Sequence, residues 1–163
     1  MPIDFVALLA ILANTQLRFV VVGGLAMVLH GIDRLTADAD LVVDFSADSI
    51  NEAVQALVAA GYRPLAPVDP KQFGDAMKRE EWRLAKGMKV FSFWDSTSVG
   101  PTVDILLESP VTFDELWRDA VRIDVGGHRV AVASSSHLIR MKESAGRPRD
   151  LDDVARLQNL NRK

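Results

Sequence analysis

Phe19-Val20-Val21-Val22 is an unbroken apolar run, mostly β-branched, that ends at Gly23-Gly24. A strand with one wet face alternates apolar and polar residues, so a continuous run suits a strand covered on both faces. Covering both faces takes helices packed against a sheet. Leu25 to His30 reads as a short helix after the glycines, and Asp38 to Asp44 as a second strand. A first helix is expected over residues 3–14, where Phe5, Leu8, Leu9 and Leu12 recur at helical spacing before polar Asn14-Thr15-Gln16. Strands alternating with helices around a mixed β-sheet place the chain in the α/β (α+β) class.

The rest of the chain fits that class. A helix is expected from Ser49 to Ala60, capped by Asp48 or Ser46 and stopped by Gly61, and then a loop from Pro64 to Pro70. Lys71 to Lys86 is polar and poorly periodic, and reads as helix. Val90–Trp94 and Val103–Leu107 read as strands, and Phe113–Arg118 as a short helix. Val121–Val125 and Arg129–Val132 form a hairpin around Gly126-Gly127. Helices starting near Ser135 and near Asp150, separated by Pro148, give a helical C-terminus. With 163 residues the expectation is one domain, its core spanning about 18–132 and its C-terminal helices about 134–162.

The chemistry concentrates in Asp38-Ala39-Asp40. Side chains two apart in a strand share a face, so both carboxylates project together and repel unless a cation or proton compensates. Carboxylate oxygens are preferred ligands of magnesium, which also takes phosphate oxygens. Gly23-Gly24, at a strand-to-helix turn, lets backbone amides approach a phosphate, although such a pair is more often only a turn. Asp104 stands in an otherwise apolar strand, Val103-Asp104-Ile105-Leu106-Leu107. An acid there needs a partner: an arginine at a strand end, a metal, or a hydroxyl whose proton it accepts. Arg34 and Thr36 share the parity of Asp38 and Asp40, so they either line the site or pair with and cap the acids. Asp44 is read as a solvent-facing strand end and His30 as a helix end. Trp82, Phe91, Phe93, Trp94 and Trp117 are read as core or groove wall.

Composition removes several function classes. Cysteine is absent, which excludes disulfides, thiolate catalysis and cysteine-ligated metals. His30, His128 and His137 lack metal-ligand spacing. The net charge of −3 offers no general affinity for nucleic acid. The N-terminal stretch lacks a basic region and cleavage site. Polar residues and Gly23-Gly24 interrupt Phe5–Leu29, so neither a signal peptide nor a membrane span is expected, and the cytoplasm is the expected location.

The pattern of paired glycines, a short helix, Asp-x-Asp after a gap and a later strand Asp resembles the DNA polymerase beta-type nucleotidyltransferase superfamily. Thirteen residues separate Gly24 from Asp38, which fits its spacing. Gly23-Gly24-Leu25-Ala26, His30-Gly31 and Arg34-Leu35-Thr36-Ala37-Asp38-Ala39-Asp40-Leu41 resemble the branch holding the abortive-infection toxins of bacterial type IV toxin–antitoxin systems. Lys142 and Gly146-Arg147-Pro148-Arg149-Asp150-Leu151-Asp152-Asp153 match it too, so the resemblance covers roughly residues 20–160. Many superfamily members carry Gly-Ser where this chain has Gly23-Gly24.

The resemblance implies a nucleotidyltransferase fold and transfer of a nucleoside monophosphate from an NTP, ATP included, with release of pyrophosphate. Asp38, Asp40 and Asp104 would be catalytic and hold Mg2+, two ions being expected with NTP bound. Gly23 and Gly24 would hold the β- and γ-phosphates, Lys142 would contact the triphosphate, and Asp150 would steady the C-terminal side. Arg34 and Thr36 complete the nucleotide-binding candidates. Lys142 suits its role as a mobile point charge, while Arg147 and Arg149 can grip phosphate bidentately. The acceptor stays open between RNA such as a tRNA end, protein and small molecules. A cognate antitoxin is an implied partner, and a membrane is not. The alternative is a non-catalytic nucleotide-binding or partner-binding module on the same fold, since 163 residues leave little beyond a catalytic core.

Overall fold

A computed structural model describes residues 4–46, 48–97 and 100–162. Helix α1 (Phe5–Ala13) starts where the Asp4 side chain accepts the Ala7 amide at 2.9 Å, and it buries Leu8, Leu9 and Leu12. Strand β1 (Phe19–Val22) is buried at all four positions, as its unbroken apolar run requires. Then follow α2 (Gly23–Leu29), β2 (Asp38–Val43), α3 (Ser49–Ala59) and β3 (Tyr62–Pro64). A short 3-10 helix (Pro70–Gly74) leads into α4 (Ala76–Ala85), β4 (Val90–Asp95), β5 (Thr102–Leu106) and α5 (Phe113–Asp119). The hairpin β6 (Val121–Val125) and β7 (His128–Val132) precedes α6 (Ser135–Ala145) and α7 (Pro148–Asn161). Gly126 and Gly127 close that hairpin with φ of 58° and 87°, values that side chains disfavour.

The seven strands form one mixed sheet in the order β3-β4-β5-β2-β1-β7-β6. β2 runs parallel to β5 and antiparallel to β1, while β1 runs parallel to β7. Alternation gives the sheet two unlike faces. On one, Ala39, Leu41, Phe91, Phe93, Val103 and Ile105 are fully buried. Phe73 of the 3-10 helix stacks on Phe91 at 4.4 Å, and Trp82 of α4 stacks there at 5.4 Å. Truncating Phe73 to alanine would remove a buried ring worth about 3–5 kcal/mol. The opposite face carries Asp38, Asp40, Ser92, Trp94 and Asp104, because these alternate with the core residues.

Several expectations change. The 71–86 segment is not one helix, because Asp75 ends the 3-10 turn and caps α4, accepting the Met77 and Lys78 amides at 2.9 and 3.4 Å. The expected loop at Pro64 begins inside β3, a three-residue strand at the sheet edge that is too short to leave a period. Asp44 is not a solvent residue: it is 7% exposed, and accepts from the Ser46 hydroxyl at 2.5 Å, from Arg18 at 2.5 Å and from the Ser46 amide at 2.9 Å. Those bonds to its charged form hold its pKa low, Ser46 first and Arg18 next, against the opposing effect of burial. Of the two readings of Trp94, core or groove wall, core is excluded: it is 45% exposed, on the outward parity of β4.

Candidate active site

The register sets the acids side by side. Asp40 of β2 pairs with Asp104 of β5 on one flank and with Val22 of β1 on the other. Val22 is the last residue of β1, so the chain turns into α2 directly beside Asp40. Gly23 makes that turn with φ +67°, and a Cβ placed on it would overlap the Asp40 carboxylate, whose Cγ lies 3.0 Å away. Only glycine allows both the left-handed backbone and this close approach. Gly24 is buried behind the turn: a Cβ there would meet Thr36 Oγ1 at 3.0 Å and Arg34 Nε at 3.1 Å.

Asp40 hydrogen-bonds Asp104, and Ser92 of β4 donates to Asp104 Oδ1 at 2.7 Å. Burial pushes the Asp40 carboxyl up to about 7; the negative charges of Asp104 and Asp38 and its bond with Asp104 add to this, while Lys142 opposes it. Asp38, at the exposed start of β2, is shifted up by burial first and then by Asp104. This is excess negative charge short of a compensating cation. Among the described residues, however, no three acids or histidines stand ready-made around a metal position. Asp40 and Asp104 hold each other by hydrogen bond, and Asp38 sits at the open end of its strand. The donor set, all carboxylate oxygen with surplus charge, nevertheless fits a hard divalent cation.

Across from the acids runs a wall from the C-terminal helices. A cleft of about 350 Å³ is lined by Gly23, Asp38, Asp40 and Asp104 on one side and by Lys142, Arg147, Arg149 and Asp150 on the other. Leu138 and Met141 of α6 and Val22 supply apolar surface within it. That volume lies at the small end of the range for ligand pockets. Of the site candidates named from the sequence, Gly24, Arg34 and Thr36 are the ones that do not line it. Thr36 Oγ1 donates to the Asp38 carbonyl at 3.2 Å, and Arg34 pairs with Asp153 on α7. Both therefore brace the start of β2 and the turn at Gly24.

Lys142 is not a mobile charge either. It is buried, with Nζ 2.8 Å from Asp153 and 3.7 Å from Asp150. Asp150, 1% exposed, also accepts from the Arg147 amide at 3.1 Å and from its guanidinium at 2.6 and 3.2 Å. The Arg147 side-chain bond is the first cause holding Asp150 below the usual carboxylate range. Arg149 has no ion pair among the described residues and is the freest cation of the cleft. Asp153 and Ser92 are additions of the structure. Asp153 falls one turn after Asp150 on the buried face of α7, a spacing visible in the sequence; Ser92 alternates with Phe91 and Phe93, which is weaker.

Comparison with known proteins bears on this geometry. A family profile described as nucleotidyl transferase AbiEii toxin, type IV TA system, matches residues 7–162. The chain belongs to that family. The match spans the acids, the glycine turn and the C-terminal helices together. Among curated proteins, no sequence matches the chain. Several solved structures share the fold, these two among them. One is a Thermotoga maritima protein, TM1012, assigned as a nucleotidyltransferase: 15% identity, TM-score 0.54, covering 94% of this chain and 89% of that one. The other is ANT(2")-Ia in complex with adenylyl-2"-tobramycin: 16% identity, TM-score 0.57, covering 92% of this chain and 82% of that one. The nucleotidyltransferase fold and the AbiEii family expected from the motifs are therefore those of the chain. No helix among the described residues is long and apolar enough to cross a membrane.

Proposed function

We propose that this AbiEii-family chain transfers a nucleoside monophosphate from an NTP to an acceptor hydroxyl, and that Asp38, Asp40 and Asp104 are the acids that serve the reaction. The observation that carries the reading is the Asp40–Asp104 register pair beside the Gly23 turn, opposite a cationic wall. Magnesium, held by Asp38, Asp40 and Asp104, would supply charge neutralisation at the triphosphate and acidify the attacking hydroxyl.

The chain's own groups take distinct parts. The Gly23 amide at the start of α2 faces phosphate oxygens, since helix starts present unpaired N–H groups. Arg149 and Arg147 receive the β- and γ-phosphates from the facing wall, with a bidentate fork available to Arg149. Lys142, fixed by Asp150 and Asp153, keeps a positive potential behind the phosphates rather than following them. The acceptor oxygen attacks the α-phosphorus in line, and the bond from that phosphorus to the bridging oxygen breaks. Pyrophosphate leaves on the cationic side. Asp104, oriented by Ser92, takes the proton of the attacking hydroxyl. Gly24, Arg34 and Thr36 support the turn and the strand without touching the nucleotide. Transfer acts in the setting of a type IV toxin, with a cognate antitoxin as its partner and the cytoplasm as its location.

Incubation with labelled NTPs, magnesium and pooled RNA, protein and small-molecule acceptors tests this. Labelled product with released pyrophosphate is expected, and its loss in Asp104→Asn. NTP binding with no pyrophosphate from any acceptor pool would instead support a binding module on this fold.

A further inference from the structure

The site's sheet face continues beyond the acids, and its far end carries an aromatic ring. The register aligns Ser92, Asp104, Asp40 and Val22 in one row across the strands, and Trp94, two residues beyond Ser92 on β4, pairs with Arg63 of β3 just past the last β4–β5 pair, Phe93 with Val103. In-register neighbours project to the same face. Trp94 therefore shares the face of the acids, one strand from Asp104 and one row along, a diagonal separation of roughly 7–8 Å. It is 45% exposed, whereas Phe91 and Phe93 of the same strand are fully buried on the opposite face. Among the described residues Trp94 makes no ring or cation–π contact, unlike Trp82 and Trp117.

The two sides of the acids differ in charge. The α6–α7 side presents Lys142, Arg147 and Arg149, which complement a polyanionic triphosphate. The β4 side is uncharged: Val90 lines the cleft, and Ser92 and Trp94 continue the same face; the guanidinium of nearby Arg63 is turned back onto the Val58 and Tyr62 carbonyls at 3.1 and 2.8 Å. In-line transfer puts the acceptor opposite the departing pyrophosphate, hence on the β4 side. We propose that Trp94 is the acceptor-stacking residue, and that the acceptor is a nucleotide whose base lies on the indole while its ribose hydroxyl faces Asp104. A base and its own ribose hydroxyl span a gap of this kind within one residue. An indole face binds any base by stacking and needs no sequence. This inference rests on the transferase reading for its orientation.

The test uses the full chain and two fluorescently labelled four-nucleotide single strands of equal charge, one of ordinary ribonucleotides and one abasic. Anisotropy titrations are run on wild type, Trp94→Ala and Trp94→Phe, with thermal melts showing that each is folded. The wild type is expected to prefer the base-bearing strand about tenfold, Trp94→Phe to keep most of that preference, and Trp94→Ala to lose it. Equal binding of both strands by wild type, or an undiminished preference in Trp94→Ala, overturns the proposal and leaves a protein or non-aromatic hydroxyl compound as acceptor. NTP titration of wild type by calorimetry separates the two readings. Absent NTP binding sinks the transferase reading, whatever the strands show.

Discussion

Replacing Asp40 with asparagine should make the metal-free protein more stable at pH 8 while abolishing transfer. Asp40 has an ordinary value of 3.8 and is pushed up to about 7 in the fold, by burial first and then by Asp104 and Asp38. A raised carboxyl binds its proton more tightly folded than unfolded, so its charged form opposes folding as pH rises above 3.8, fully so above 7. At 1.36 kcal/mol per unit the penalty is on the order of 4 kcal/mol, an upper figure because residual solvent around the carboxylate reduces it. The asparagine side chain has the same shape, carries no charge and can donate to Asp104. A net gain of about 1–3 kcal/mol is expected, or a rise of roughly 3–10 °C for a chain of this size. Thermal melts in EDTA at pH 8 and pH 5 measure it. The gap should be widest at pH 8 and shrink by more than half at pH 5, closing only below 3.8, where the unfolded Asp40 is protonated as well. An asparagine variant that melts below wild type at both pH values would refute the argument, because Asp40 would then be stabilising.

Other outcomes follow from the same geometry. Adding magnesium at pH 8 should raise the melting temperature of wild type, by about 2.7 kcal/mol of stability at a hundred times the dissociation constant, and should do little in Asp38→Asn/Asp40→Asn; equal shifts in both would place the ion elsewhere. Asp153→Ala leaves Arg34 without its buried partner and Lys142 with only the more distant Asp150, and a loss of about 3–5 kcal/mol in chemical denaturation is expected; a loss under 1 kcal/mol would mean water replaces the carboxylate. Gly23→Ala should cost about 1–3 kcal/mol from its positive φ and weaken NTP binding through its overlap with Asp40, as read by melts and calorimetry. The stabilisation from Asp150 and Asp44, both held low, is present above their unfolded value of 3.8 and lost as acid protonates them. Acid titration of Asp150→Asn should therefore start from lower stability and fall less steeply than wild type.

Much of this site is legible in the sequence because it depends on local periods. The unbroken run at Phe19–Val22 declares a doubly covered strand, and the parity of Asp38 and Asp40 places both on one face. Gly23-Gly24 marks the turn that brings Asp40 against the backbone. What escapes depends on contacts made across the chain. Arg34 carries the right parity, yet it turns to Asp153, a choice that depends on where α7 docks, while Thr36 spends its hydroxyl locally on the Asp38 carbonyl. The fixing of Lys142 by Asp153 has the same origin, since α6 and α7 meet only in the folded chain. Asp44 differs from its sequence reading because its partners, Arg18 and Ser46, come from the connection before β1 and from the turn after β2. Trp94 can be placed by alternation alone: Phe91 and Phe93 claim the core parity of β4, which turns Trp94 outward.

A structure with magnesium and a non-hydrolysable NTP analogue tests the central claim most directly. It should show carboxylate oxygens of Asp38, Asp40 and Asp104 around the cation, with the triphosphate between the Gly23 turn and Arg149. A nucleotide seated instead in the neighbouring cleft of Arg34, Asp152 and Arg156, with those three acids free of metal, would contradict it.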